Sequence, residues 1–324
     1  MQQVVFRTTD PTMEITVNDC GTSSIAYTAG WTEDGRGVVV KEYPPYLELF
    51  DFDGNSLGTK ADTVSCIGMP GQRTLGAPQI QPRALVLTIA FDGRNGGRDT
   101  DERMYELRRI VARCFPPGKK GTMEYTNSNG TFYIDCYANE YPNMERKAGT
   151  RIVTSLYFTA DFPYWRRDVK VGPYIFEANE ERWVEPVNII CRGDIASPVI
   201  GEIKCLTTME GVHPNGATGP DGAYWGLYRT DDSGRNLFGK EGMKFVKPLE
   251  AGDTLVFNTG LNNEVYFRLS VNNETEYPAN HYYNAADSTL HKIKAGLDRW
   301  CVGIYTLYGK VEATLHYQEL YLSV

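Results

Sequence analysis

Histidine and paired cysteine are scarce in this chain. Four histidines are scattered through 324 residues, and none of the seven cysteines forms a CxxC pair. Zinc ligands come clustered at short spacings, so no metal centre is expected. The cysteines, Cys20, Cys66, Cys114, Cys136, Cys191, Cys205 and Cys301, are odd in number and far apart. A disulfide framework is therefore not expected, and the thiols read as reduced, buried and structural. Long apolar runs are missing too. No stretch approaches the ~18 consecutive apolar residues of a membrane span. The opening MQQVVFRTTD has neither the basic nor the apolar region of a secretory signal, so synthesis and folding in a cytoplasm are expected.

A basic excess is also lacking. The formal net charge is -8, with 19 basic and 21 acidic residues through Asp168 and 14 and 20 after it, leaving -2 and -6. Neither half carries the cationic footprint of a phosphate-backbone binder, so nucleic-acid recognition is not expected. What remains is a globular composition, 41% hydrophobic and 23% charged, in a chain long enough for two domains.

Most of the sequence alternates with a period of two. In ALVLTIAF, Leu85, Leu87, Ile89 and Phe91 share one face; in RIVTSLYFTA, Ile152, Leu156 and Phe158 do. TFYIDCY, VYFRLSV, RWCVGIYTL and VEATLHYQELYL repeat the pattern, and LELFDFDGNSL reads as a strand entering a turn at Asp53-Gly54. Short strands between Gly, Asn and Pro clusters imply a mainly β chain built of sandwiches or barrels. One helix is predicted at about residues 100 to 114. Asp99 is its N-cap, Glu102 completes a capping box, and Pro116-Pro117-Gly118 stops it. Met104, Leu107, Ile110, Val111 and Cys114 form its apolar stripe. Arg103, Arg108, Arg109 and Arg113 occupy the other face, which reads either as solvated or as meeting an acidic neighbouring subunit.

Midway lies TADFPYWRRD. Pro163 has no N–H for a sheet ladder and holds Phe162 extended, so the strand from Arg151 must end there. Tyr164 and Trp165 are placed to cover the end of a core, with Arg166, Arg167 and Asp168 stepping into water and RRDVKVGPY connecting two domains, residues 1 to 168 and 169 to 324.

Catalytic motifs fail on inspection. GRNLFGKE matches the spacing of a phosphate loop, but Glu241 stands where Ser or Thr would hold magnesium. DFDGN at Asp51 has its glycine too early for a calcium loop. GRNGGR lacks the dinucleotide order, and no GxSxG occurs. A glycosidase pair cannot be picked from 41 acidic residues. No enzyme, cofactor or metal is expected. The segment Gly211 to Gly242 carries eight glycines together with Tyr224, Trp225 and Tyr228. Exposed aromatics there would stack on a glycan; the preferred reading is that AYWGLY is a strand with Trp225 in the core.

The order of four features resembles the distal tail protein (Dit) family of long-tailed, siphovirus-type bacteriophages and prophages: GMPGQRTLGAPQIQPR, then a strand, the helix ending RCFPPGKKGTMEY, and the closing ADFPYW. In the second half, EPVNIICRGDIASPVI, LEAGDTLVFNT and IKAGLDRWCV follow in the order of that family's galectin-like sandwich. The resemblance implies two β-sandwich-like domains and a structural, virion-borne role. Its members form a homohexameric ring linking tail tube and tape-measure proteins to a baseplate or tail-fibre protein, with the second domain projecting outward. The alternative it leaves is a tail protein that adheres to host-surface carbohydrate through the second domain.

Overall fold

The computed structural model describes residues 2–8, 13–20, 22–31, 37–42, 47–54, 57–65, 72–92, 100–144, 151–178, 186–210, 225–229, 242–247, 249–261, 264–272, 276–285, 288–304 and 308–324. The fold is mainly β, with one α-helix among the described residues. It divides into two compact units: Met1–Arg166 with Tyr321–Val324, and Arg167–Leu320.

In the first unit, β1 (Gln3–Thr8), β2 (Glu14–Asn18), β3 (Ser24–Trp31) and β4 (Gly37–Glu42) form an antiparallel meander. β5 (Glu48–Asp53) is followed by β6 (Thr59–Ser65) and β7 (Gln72–Ile80), a hairpin whose strands pair only with each other among the described residues. Then come β8 (Arg83–Asp92), α1 (Thr100–Cys114), β9 (Lys120–Asn127), β10 (Gly130–Ala138) and β11 (Arg151–Ala160). β9 lies between β1 and β10, while β8 is flanked by β5 and β11. The inward residues of β8 and β11 are those the alternation predicts, and they pack with the helix stripe Met104, Leu107, Ile110, Val111 and Cys114. Burying each such side chain contributes about 2 kcal/mol. Phe115, just past the helix, stacks on Phe6 (5.4 Å) and meets Phe158 edge-on (5.6 Å). The helix and the strands on either side of the β10–β11 pairing thus share one core.

The midpoint differs from its expected course. The strand from Arg151 does end before Pro163, but the chain re-enters a strand at once, β12 (Trp165–Ala178), where a connection was expected. Trp165 is fully buried. Arg166 does not step into water. Its guanidinium pairs with Asp135 and lies 4.8 Å from the Tyr133 ring centroid. Arg167, half-exposed, pairs at 3.1 Å with the buried carboxylate of Glu319. Both arginines are drawn inward because each has an acidic partner supplied from elsewhere in its own unit.

The second unit continues with β13 (Val187–Cys191), β14 (Ser197–Glu210), β15 (Trp225–Arg229), β16 (Gly242–Phe245), β17 (Thr254–Thr259), β18 (Val265–Ser270), β19 (Glu276–Pro278), β20 (Lys292–Ile293), β21 (Gly296–Ile304) and β22 (Tyr308–Tyr321). One sheet runs β19-β18-β17-β14-β22-β12, with β20 also on β14; the other runs β13-β21-β15-β16. Between them lies a core holding Ile203, Phe257, Val302, Leu315 and Trp300. Gly201 sits opposite Phe257 in register, and a Cβ there would collide with that ring. The glycine makes room for the aromatic.

Candidate functional site

The four arginines predicted on the helix are a natural starting point. Asp99, the expected N-cap, and the side chain of Arg103 lie outside the described residues. Arg109 and Arg113 are exposed and Arg108 is half-buried, its guanidinium 5.9 Å from the Tyr105 ring centroid. The helix stops as expected. Gly118 takes a left-handed backbone (φ 73°) and its N–H bonds the Ala138 carbonyl at 2.8 Å.

Beside the helix runs the segment after β10. The Asn139 N–H donates to the Tyr157 carbonyl (2.9 Å), and the Thr154 hydroxyl donates to the Asn143 carbonyl (2.8 Å). These bonds hold residues 139–144 along the edge of β11 away from β8. Between this segment and α1 opens a groove of about 450 Å³, lined by Tyr105, Ala112, Pro142 and Met144 with Arg108 and Arg109. Its floor is apolar and its charged lining is cationic.

On the opposite side of β8 lies β5, which has a register shift between Leu49 and Asp51. Leu49 and Phe52 both pack on the core, so the intervening residue is the bulged one. Phe50 is consequently 60% exposed, next to the exposed Asp51. The sequence carries the trace of the bulge, since the alternation of LELFDFD slips by one residue at the adjacent apolar pair Leu49-Phe50.

In the second unit the aromatic candidates Tyr224, Trp225 and Tyr228 are described only in part. Tyr224 lies outside the described residues, as do residues 211–223 and 230–241 and the side chain of Trp225. Tyr228 is 2% exposed and belongs to the core, so its ring is not available to a glycan. The segment AYWGLY does contribute a strand, β15, beginning at Trp225. A half-buried aromatic group that the sequence reading missed lies instead at Tyr277, Tyr282 and Tyr283. The Lys247 ammonium bonds the Tyr277 hydroxyl (3.2 Å) and sits 5.1 Å from the Tyr282 ring centroid. Burial opposes the charge on Lys247, but the Tyr277 hydroxyl, the phenols of Tyr277 and Tyr282 and the Asp253 carboxylate together outweigh it and the pKa rises. His281 is exposed and its ring centroid lies 3.8 Å from that of Tyr282. The signal was present in EYPANHYYN.

The thiols bear on chemistry. Cys114, Cys136, Cys191, Cys205 and Cys301 are buried, whereas Cys20 is exposed, contrary to the expectation of wholly buried cysteine. Burial pushes Cys114 and Cys301 up to about 12 and Cys205 to about 11, so these remain protonated thiols, poor nucleophiles and poor ligands. No cluster of metal-ligating side chains occurs among the described residues. No helix among them is long and apolar enough to cross a membrane.

A helix-bearing β unit joined to a second β unit of two antiparallel sheets defines the class: the fold is Dit-like. The crystal structure of SPP1 Dit, described as a paradigm of the hub adsorption apparatus in phages infecting Gram-positive bacteria, matches with a TM-score of 0.55 at 11% identity. That match covers 85% of this chain and 93% of the SPP1 protein. The phage P2 baseplate in its activated conformation also matches, with calcium (TM-score 0.42, 12% identity) and with strontium (0.42, 11%). Each of these covers 98% of both chains. No protein-family model and no curated protein matches the sequence.

Proposed function

We propose that this chain is a structural hub protein of a phage tail tip, without catalytic activity. In this reading it forms a homohexameric ring in the virion, joining tail tube and tape-measure proteins to a baseplate or tail fibre, and is made in the host cytoplasm. The observation that carries the reading is the Dit-like fold extending through both units. The β6–β7 hairpin supports it. Two strands that, among the described residues, pair only with each other are marginal in water and gain stability when covered, as at a subunit boundary. A head-to-tail contact between identical subunits closes into a ring. Electron micrographs and native mass spectrometry of the full chain across a concentration series are expected to show a closed ring. A chain that stays monomeric throughout, and with tail-tube protein added, would refute the reading.

A second reading is adhesion to host-surface carbohydrate through the second unit. It draws on the half-buried Tyr277 and Tyr282 with Lys247 and the exposed His281, not on Tyr228. A glycan array distinguishes the two. Micromolar binding lost in Tyr282→Ala would favour adhesion, whereas nothing tighter than about millimolar leaves the structural reading in place.

A further inference from the structure

We infer that Phe50 on β5 is a plug, that the groove between α1 and residues 139–144 is its socket, and that the plug of one copy enters the socket of the next. This rests on the ring proposed above and names the contact that closes it.

The two features match in chemistry. Phe50 is the most prominent apolar group on its strand, pushed outward by the bulge and 60% exposed. Three carboxylates share that short strand with it, Glu48, Asp51 and Asp53. The socket is the complement: Tyr105 (61% exposed), Ala112, Pro142 and Met144 supply apolar walls, and Arg108 and Arg109 supply cations. At about 450 Å³ it is large enough to admit an aromatic side chain. An aromatic anchor inserted in a pocket, with charged pairs around it, is the arrangement that dominates interface energies. The arginines are suited to it because a guanidinium binds a carboxylate in a two-point fork.

They also match in placement. β5 is the outer strand on one side of β8, and β11 is on the other. The socket's Pro142 and Met144 belong to the segment beyond β11, held there by the Asn139–Tyr157 and Thr154–Asn143 bonds. β11 pairs on its far side with the end of β10 (Tyr137 with Thr159, Ala138 with Phe158), so plug and socket lie on opposite sides of the β5-β8-β11 run. A chain cannot fill its own socket across that run. Two different patches on opposite sides make a heterologous contact, which propagates from copy to copy and closes when the rotation permits.

The test uses the full chain. Phe50→Ala, and separately Arg108→Glu with Arg109→Glu, are expected to weaken association roughly tenfold or more in sedimentation and native mass spectrometry. Circular dichroism checks that these surface variants fold. Asp51→Lys with Asp53→Lys is expected to weaken it likewise, and to recover when mixed with the Arg108→Glu, Arg109→Glu chain. A second measurement does not depend on affinity. With Cys20 and Cys66 changed to Ser, chains carrying Phe50→Cys and chains carrying Tyr105→Cys are mixed and oxidised. A disulfide between the two kinds of chain, in excess over either chain with itself, is the expected result. If the wild type assembles while every variant assembles equally and no mixed disulfide forms, the plug and socket are wrong and the ring stands. If the wild type never assembles, alone or with its tail neighbours, ring and contact fall together.

Discussion

Arg83 shows how one residue organises a unit. It is fully buried, and no carboxylate is among its bonded partners. Its Nε donates to the Pro163 carbonyl (2.6 Å), Nη1 to Gly54 (2.5 Å) and Nη2 to Leu322 (2.6 Å). Burial lowers its pKa, yet an arginine remains charged at any ordinary pH. Its planar fork reaches three separate chain segments, which a lysine cannot do. Arg83→Met would leave the Pro163 and Leu322 carbonyls without this donor, while Gly54 keeps the Trp165 indole N–H at 3.0 Å. A loss of about 3 kcal/mol is expected in urea unfolding, since hydrogen bonds to a charged group contribute roughly 1.5–3 kcal/mol each. A loss below about 1 kcal/mol would mean that water replaces the guanidinium. Asp298 makes a comparable case in the second unit. Burial alone would raise its pKa. Hydrogen bonds from Arg229 (2.8 and 3.0 Å) and the Lys294 amide, with the charges of Arg229 and His291, hold it below the ordinary aspartate value. A depressed carboxyl contributes stability above its unfolded value of about 3.9 and loses it as pH falls through the folded value. Asp298→Asn is therefore expected to destabilise at neutral pH, with the gap to wild type closing below about pH 4. A gap independent of pH would assign the effect to packing.

Elements were legible wherever one face is buried and the other wet. The alternation in ALVLTIAF and RIVTSLYFTA marks β8 and β11 residue by residue, and the helical stripe marks α1. Legibility fails where polar residues find partners far along the chain. RRDVKVGPY reads as a connection because Arg166 and Arg167 are charged, yet it opens β12, since Asp135 and Glu319 receive them. The bulge at Phe50 is easily overlooked for a different reason. A single extra residue shifts the apolar alternation by one at Leu49-Phe50, a slip that is only identified as a bulge against the register of β8. The groove proposed as an assembly site was half legible: the arginine face could be named, but not that Pro142 and Met144 would wall a groove beside it. The β6–β7 hairpin carries its own prediction. Paired only with itself among the described residues, it is expected to exchange its amide hydrogens far faster than β8 or β11 in the unassembled chain, and to slow on assembly. Protection equal to that of β8 before assembly would mean the hairpin is already covered.

At the scale of the whole molecule, the sequence suggests a cut between residues 1 to 168 and 169 to 324, and the compact units are Met1–Arg166 with Tyr321–Val324, and Arg167–Leu320. The chain leaves the first unit within β12 after Arg166 and returns to it for its last four residues. Those four are attached to the first unit by specific contacts. The Tyr321 ring meets Phe132 edge-on at 5.0 Å, and the Leu322 carbonyl receives Arg83. Tyr321 and Val324 also pack against the first core. The end of the chain thus closes a core begun by its first strands, and the polypeptide leaves and re-enters the first unit as a domain with an insertion does. Deleting residues 321–324 should accordingly leave the second unit intact and destabilise the first. Lost burial of one aromatic and one lost hydrogen bond to a charged donor together come to about 3–5 kcal/mol. Calorimetry is expected to show the transition of the first unit shifted down by several degrees, with hydrogen exchange rising in β10 around Phe132 and near Arg83 and remaining unchanged in β14 and β17. A residue 1–166 fragment should likewise be less stable than the same unit in the full chain, and a peptide carrying residues 321–324, supplied in trans at high concentration, should restore part of the loss. If the truncation instead lowers the second unit's transition, the tail belongs with Arg167–Leu320 and the division of the chain at its C-terminal end is wrong.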